Sequence, residues 1–164
     1  VTIRIDRVKA SSPALVDFIT ADHAELEPTA PAESRHALQF ERLLAEHVRL
    51  FAAFDGDRPV ATGALVPVED GHEEIKSMRT DPAVRGRGIG RAMLAHLVAD
   101  ATDRGILRLS LETDSADFFV PARAMYARAG FHDSGPFGAY PADPHSAFMT
   151  LTLPAAGSET DLAR

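Results

Sequence analysis

Three glycines and three arginines crowd into Val84-Arg85-Gly86-Arg87-Gly88-Ile89-Gly90-Arg91. Glycine lets a backbone take positive φ and approach a ligand closely. The run stands between a predicted strand and a predicted amphipathic helix. The first N–H groups of a helix have no partner inside it, and the helix dipole adds positive potential. A pyrophosphate satisfies both conditions, and Arg85, Arg87 and Arg91 add charge. Lys76 and Arg79 extend the basic stretch, in which Asp81 is the only acid. The whole chain carries a formal charge of −7. An acidic chain with one local basic stretch points to a small anionic ligand held there, and a solvated charge run is the other meaning of such a cluster. The net charge disfavours a general nucleic-acid binder.

Three kinds of phosphate loop compete for this run. A nucleoside-triphosphate loop ends in Gly-Lys-Ser or Gly-Lys-Thr, whereas Gly90 is followed by Arg91-Ala92. A dinucleotide loop places its third glycine three residues after the second. Here the glycines fall at 86, 88 and 90, and position 91 is arginine. The third kind fits. Arg85, Gly88 and Gly90 occupy the defined positions of Arg or Gln, two residues, Gly, one residue, Gly or Ala. Preceded by Met78-Arg79-Thr80-Asp81-Pro82 and followed by Arg91-Ala92-Met93-Leu94, the loop resembles the pyrophosphate loop of the GNAT superfamily of N-acetyltransferases. Ala122-Arg123-Ala124-Met125-Tyr126 leading to Gly130-Phe131 resembles that family's second signature. One position departs from it. Many members have asparagine seven residues before the tyrosine, and here that residue is Phe119. The segment from Pro136 to Met149 is similar to that of small stand-alone bacterial members.

The resemblance implies an α/β (α+β) fold, the acyl-CoA N-acyltransferase fold. Its central mixed, mostly antiparallel sheet is flanked by helices, and its central strands splay at a bulge in the fourth. It implies acetyl-CoA as co-substrate, bound by Arg85, Gly86, Arg87, Gly88, Ile89, Gly90 and Arg91. Met78, Arg79 and Thr80 then pair with the thioester arm as an added strand would. An acceptor amine, in a small molecule or a peptide, attacks the thioester directly. An alkylammonium has a pKa of ~10.4 and must first lose a proton. A carboxylate or histidine is the usual base. Glu74, on the fourth strand, is the first candidate and Glu112, at the end of the fifth, the second. Glu73 points to the opposite face of a regular strand. Tyr126 holds the family position of the acid that protonates the departing thiolate. Many members pair through their C-terminal strands, so a homodimer is implied. A non-catalytic acyl-CoA sensor with the same fold is the rival reading, to which Phe119 lends support and Tyr126 does not.

The elements that must position these residues can be read from pattern. Residues 2–7 alternate as a strand. Ser12-Pro13 opens a helix to about residue 22, residues 25–31 form a loop, and Ser34 caps a second helix over 35–47. Strands follow at 50–54, 59–68 and 73–80, with turns at 55–57 and 69–71. A helix at 88–104 carries Met93, Leu94, Leu97, Val98 and Ala101 on one face, and Gly105 ends it. Leu107, Leu109 and Leu111 alternate in a strand. Pro121 starts a short helix that Gly130 closes, and Phe131-His132 begins a late strand. Residues 135–145 form a glycine- and proline-rich loop, and a final strand runs over 147–153. Residues 1–153 are expected to form a single domain and 154–164 a disordered tail.

Hydrophobic residues make up 45% and charged residues 25% of the chain, the composition of a soluble globular protein. There is no cysteine, which excludes a thiol nucleophile and thiolate metal ligands in this chain. No histidine set has metal spacing, and no metal is expected. His23 and His36 read as surface or packing residues. No apolar run approaches the ~18 residues of a membrane span. The opening residues lack a charged-then-apolar pattern, and a cytoplasmic location is the expectation.

Overall fold

A computed structural model describes residues 2–26 and 41–155. The elements are β1 (Ile3–Val8), α1 (Pro13–Leu26), β2 (Arg49–Asp55), β3 (Arg58–Glu69), β4 (His72–Thr80), α2 (Ile89–Asp103), β5 (Arg108–Asp114), α3 (Val120–Arg128), β6 (His132–Ser134) and β7 (Ser146–Thr152). Two compact units divide the chain. One comprises Val1–Leu65 and Ser77–Leu94, the other Val66–Lys76 and Ala95–Arg164. Strands β3 and β4 contribute residues to both.

The first unit has the strand order β1-β2-β3-β4. Antiparallel register runs from Ile3↔Asp55 to Val8↔Leu50. The β2–β3 hairpin turns at Gly56, whose φ is +62°. In β2, Leu50 to Ala53 are all buried, and so are Pro59 to Leu65 in β3. Such continuous apolar runs mark strands covered on both faces. Helix α1 opens as its sequence dictates. The Ser12 carbonyl accepts from the Val16 N–H at 3.0 Å, and its hydroxyl accepts from the Leu15 N–H at 3.3 Å. Leu15 and Ile19, one turn apart, are buried. The helix runs to Leu26, past the expected end near residue 22, because neither glycine nor proline interrupts it before Pro28. The expected loop at 25–31 lies mostly outside the described residues, as do residues 35–40 of the helix expected over 35–47, His36 and most of the expected tail, while residues 44–47 form turns rather than helix. Residues 41–43 are helical.

The second unit has the order β3-β4-β5-β7-β6. Strands β4 and β5 are parallel, paired from His72↔Arg108 to Glu74↔Ser110. The chain's last strand lies antiparallel to β5, from Arg108↔Thr152 to Asp114↔Ser146, and β6 pairs on its far side. Helix α2 ends in a six-residue cap. Gly105, at φ +81°, donates to the Thr102 carbonyl at 3.0 Å, and Ile106 donates to that of Ala101 at 3.0 Å. This is the hydrogen-bond pattern that a left-handed glycine permits at a helix end. Leu107 falls outside β5 and is exposed, so the expected three-leucine face reduces to Leu109 and Leu111. Ser110 between them is buried too. The mixed sheet flanked by helices agrees with the expected acyl-CoA N-acyltransferase fold. Among the described residues, no helix is long and apolar enough to cross a membrane.

Candidate active site

The glycine loop lies in the first unit. Its entry is fixed by Asp81, whose carboxylate accepts from the Ala83 N–H at 2.9 Å and pairs with Arg58. The Ala83 hydrogen bond holds the Asp81 carboxyl below the usual aspartate range, and the Arg58 partner adds to it. One turn of 3₁₀ helix, Pro82–Val84, follows and buries Val84. Gly86 and Gly88 then sit at φ +83° and +79°. A Cβ built at Gly86 meets nothing within 4 Å, and one at Gly88 meets only Arg91 Nη2 at 3.5 Å. The loop is thus open, and Gly86 and Gly88 serve backbone path more than clearance. Helix α2 begins at Ile89, and its first return bond is from the Ala92 N–H to the Gly88 carbonyl at 3.0 Å. Gly90 lies inside the first helical turn.

This geometry makes a test specific. Gly88→Val is expected to weaken acetyl-CoA binding by about tenfold or more while leaving the fold intact. The left-handed conformation disfavours a Cβ by roughly 1–2 kcal/mol, and a β-branched residue pulls the loop off its path. Calorimetric titration with acetyl-CoA, beside a thermal melt, reads both effects. Undiminished affinity in a folded variant would remove the loop assignment.

Strand β4 carries the first unit's other unusual backbone. Ser77 has φ +56°, which only glycine takes without cost. The Thr62 hydroxyl, buried in β3, donates to the Ser77 carbonyl at 2.8 Å. That bond ties the distorted residue to its neighbour, immediately before Met78, Arg79 and Thr80. The Arg79 guanidinium lies over the Phe18 ring at 5.2 Å.

The second unit holds the carboxylates. Alternation along β4 separates its two buried glutamates. Glu73 faces helix α2, where Arg104 donates to both its carboxylate oxygens at 2.6 and 3.0 Å. Glu74 faces the other way. Its register partner is Ser110, so Glu112, two residues on in β5, shares its side of the sheet. Tyr140, from the loop after β6, donates to Glu74 Oε2 at 2.5 Å. The Lys76 ammonium is 3.8 Å from Oε1. Burial pushes the Glu74 pKa above its ordinary 4.5, Tyr140 and Lys76 work against that, and the Glu112 charge adds to the rise. Phe137, Tyr140 and Phe148 form a ring cluster on this face, with centroids 5.1 to 5.9 Å apart.

A polar chain whose middle members His72, Ser110 and Thr150 are buried starts beside that cluster. Arg108 Nη2 lies 2.9 Å from His72 Nδ1. A guanidinium can only donate, so Nδ1 accepts and the proton sits on Nε2. His72 Nε2 then donates to Ser110 Oγ at 2.7 Å, Ser110 to Thr150 at 2.9 Å, Thr150 to Ser134 at 3.0 Å, and Ser134 to the Gly135 carbonyl at 3.3 Å. Burial and the Arg108 charge hold the His72 pKa below its ordinary 6.5. The unfolded chain therefore takes up this proton first as pH falls. The contribution of His72 to stability is present above 6.5 and is lost as pH falls below it. His72→Gln is expected to flatten the loss of melting temperature just below pH 6.5 relative to wild type. Superimposable slopes would show that His72 is not held neutral.

Tyr126 occupies helix α3 in the same unit. Its ring is buried against Phe131, with centroids 5.8 Å apart, and burial drives the phenol pKa upward. Phe119 is the residue before that helix and packs edge-on to Phe118 at 5.1 Å. Of the sequence candidates, Glu74 and Glu112 come together on one face, while Met78 to Thr80 and the 85–91 loop belong to the other unit. His23 has no described side chain. Among the described residues, no group of three or more metal-ligating side chains gathers. Sequence reasoning passed over Tyr140 and the His72 chain. The signal available for Tyr140 was aromatic spacing, since Phe137 and Tyr140 are more apolar surface than a solvent-facing linker carries.

The pattern of the Acetyltransferase (GNAT) family matches residues 13–131. The uncharacterized N-acetyltransferase YsnE of Bacillus subtilis (strain 168) is 42% identical over 124 residues, covering 76% of this chain and 82% of its own. A solved structure from Klebsiella pneumoniae subsp. pneumoniae MGH 78578 superposes with a TM-score of 0.75 at 29% identity, over 92% of this chain and 97% of that one. The fold is shared with an aminoglycoside 6′-N-acetyltransferase complexed with coenzyme A, at a TM-score of 0.73 and 18% identity over 91% of this chain and 96% of that one. A strand end, glycine loop and helix start in one unit, two carboxylates on one sheet face in the other, and these matches lead to one conclusion: the chain belongs to the GNAT family of acetyltransferases.

Proposed function

We propose that the chain moves an acetyl group from acetyl-CoA to a primary amine by direct attack, working as one domain over residues 1–153. The observation that carries this reading is Glu74, a buried carboxylate whose proton affinity is raised by burial. A carboxylate with raised proton affinity is a stronger base toward an ammonium. The backbone N–H groups from Arg87 to Arg91 hold the pyrophosphate, and Arg85 adds charge. The backbone of Met78, Arg79 and Thr80 pairs with the amides of the thioester arm. Glu74 removes a proton from the acceptor ammonium, directly or through one water, and Glu112 reinforces its basicity. The amine nitrogen bonds to the acetyl carbon and releases its second proton to solvent, the carbon–sulfur bond breaks, and Tyr126 donates a proton to the thiolate and regains one from solvent.

An acceptor screen tests the proposal. Purified protein with acetyl-CoA is offered primary amines, amino acids and short peptides, and thiol release is followed. Release that depends on the amine, with a product heavier by one acetyl group, is the expected outcome. Acetyl-CoA binding without turnover on any amine would favour the sensor reading instead.

A further inference from the structure

The loop between β6 and β7 carries a second role for this site, resting on the reading of Glu74 as base. Its tip is a tight turn. The Tyr140 N–H donates to the Phe137 carbonyl at 3.2 Å, and Gly138 between them has φ +57°. That turn brings both rings to one side. Phe137 packs on His72 at 5.8 Å, and Tyr140 packs on Phe148 at 5.6 Å. The far end of the loop is tied to Ser115, whose N–H donates to the His145 carbonyl at 3.0 Å. Its hydroxyl donates to the Pro144 carbonyl at 2.8 Å. The phenol is therefore fixed by packing before it meets the carboxylate, 66 residues away in sequence.

We propose that Tyr140 is the positioning residue for Glu74: its phenol occupies Oε2, keeps the group a carboxylate, and leaves Oε1 to face the acceptor amine. The groups around Glu74 explain why such a partner is needed. Burial and the Glu112 carboxylate from β5 oppose its charge. Lys76, on its own strand, favours the charge but is exposed and 3.8 Å away. His72, two residues back on the same face, is held neutral and lends none. The Tyr140 O–H donor is the short, charge-assisted contact that offsets burial. It favours the carboxylate form and so offsets part of the rise that burial causes.

The test reads Glu74 directly and needs no acceptor. Protein carrying carbon-13 at the glutamate carboxyl carbons is titrated by NMR, with the Glu74 resonance assigned by its loss in Glu74→Gln. Tyr140→Phe keeps the ring and is expected to move the Glu74 midpoint upward. An unmoved midpoint in a folded variant would overturn the proposal. A second measurement covers a variant that fails to fold. The chain has two tyrosines and no tryptophan, so in a Tyr126→Phe background the emission is that of Tyr140. A phenol bonded to a carboxylate is quenched, so emission is expected to brighten as Glu74 is protonated, and Glu74→Gln should abolish that pH dependence. Emission indifferent to pH across the Glu74 midpoint would likewise overturn it. Failure of the base reading looks different, because Glu74→Gln would then turn over at the wild-type rate whatever the titrations show.

Discussion

Glu74→Gln is expected to cut turnover by about 10²–10⁴-fold, the usual contribution of a positioned general base, while making the folded protein no less stable at neutral pH. The two halves of that result have one cause. A carboxyl whose pKa is raised by folding contributes its stability below the unfolded value of 4.5 and loses it as pH rises through the folded value. Above the folded value the ionised, buried Glu74 is therefore a cost. Glutamine removes the charge, keeps the shape, and still offers an oxygen to the Tyr140 phenol. Rates with acetyl-CoA and the amine found in the screen, set beside melting temperatures at pH 7, check both parts. In the wild-type enzyme, kcat/KM is expected to rise with pH through the Glu74 midpoint, and that limb should vanish in the variant. Wild-type turnover in Glu74→Gln would transfer the base role to Glu112, where the same substitution repeats the test.

Tyr126→Phe is expected to lower turnover by a comparable ~10²–10⁴-fold, with acetyl-CoA affinity and melting temperature nearly unchanged. The ring keeps its place against Phe131, so only the hydroxyl is lost. Burial raises the phenol pKa, so the group stays protonated across any working pH. It also makes the phenol a reluctant acid toward a thiolate, whose own pKa is ~8.5. In the proposed acid role the proton is therefore given up only as sulfur gains charge, with the hydrogen bond to sulfur strengthening as the bond to carbon breaks. Single-turnover rates isolate that step from product release. A folded, acetyl-CoA-bound variant that turns over like wild type would return Tyr126 to a packing role.

What could be read in the sequence was what is local. The glycine loop, its arginines and the following helix lie within twenty residues, and Gly105 announces the end of α2 through its own backbone. The opposite facing of Glu73 and Glu74 needed only the alternation of a strand, which the Arg104 and Tyr140 contacts bear out. What stayed hidden depends on partners far apart in the chain. Residues 135–145 read as a loop because of their glycines and prolines, and nothing local says that Tyr140 reaches Glu74. Ser110 and Thr150 become partners only once β7 is inserted between β5 and β6. Ser77 carries no glycine signature, yet its carbonyl bond to Thr62 accompanies a left-handed backbone.

The hydrogen-bonded chain from Arg108 through His72, Ser110 and Thr150 to Ser134 has an arrow, because its first member can only give and the Gly135 carbonyl at its end can only receive. Every hydroxyl between them is committed to pass one proton forward. Drift at one position then has a direction too. Alanine at 110 strands a donor at His72 on one side and an empty acceptor at Thr150 on the other, and each such orphan inside a protein costs about 1–3 kcal/mol. Replacing the whole row with apolar residues of like shape is far gentler than replacing one. Among descendants of this sequence the row is expected to be inherited or discarded as a block, and lineages that lose Ser110 alone should be scarce.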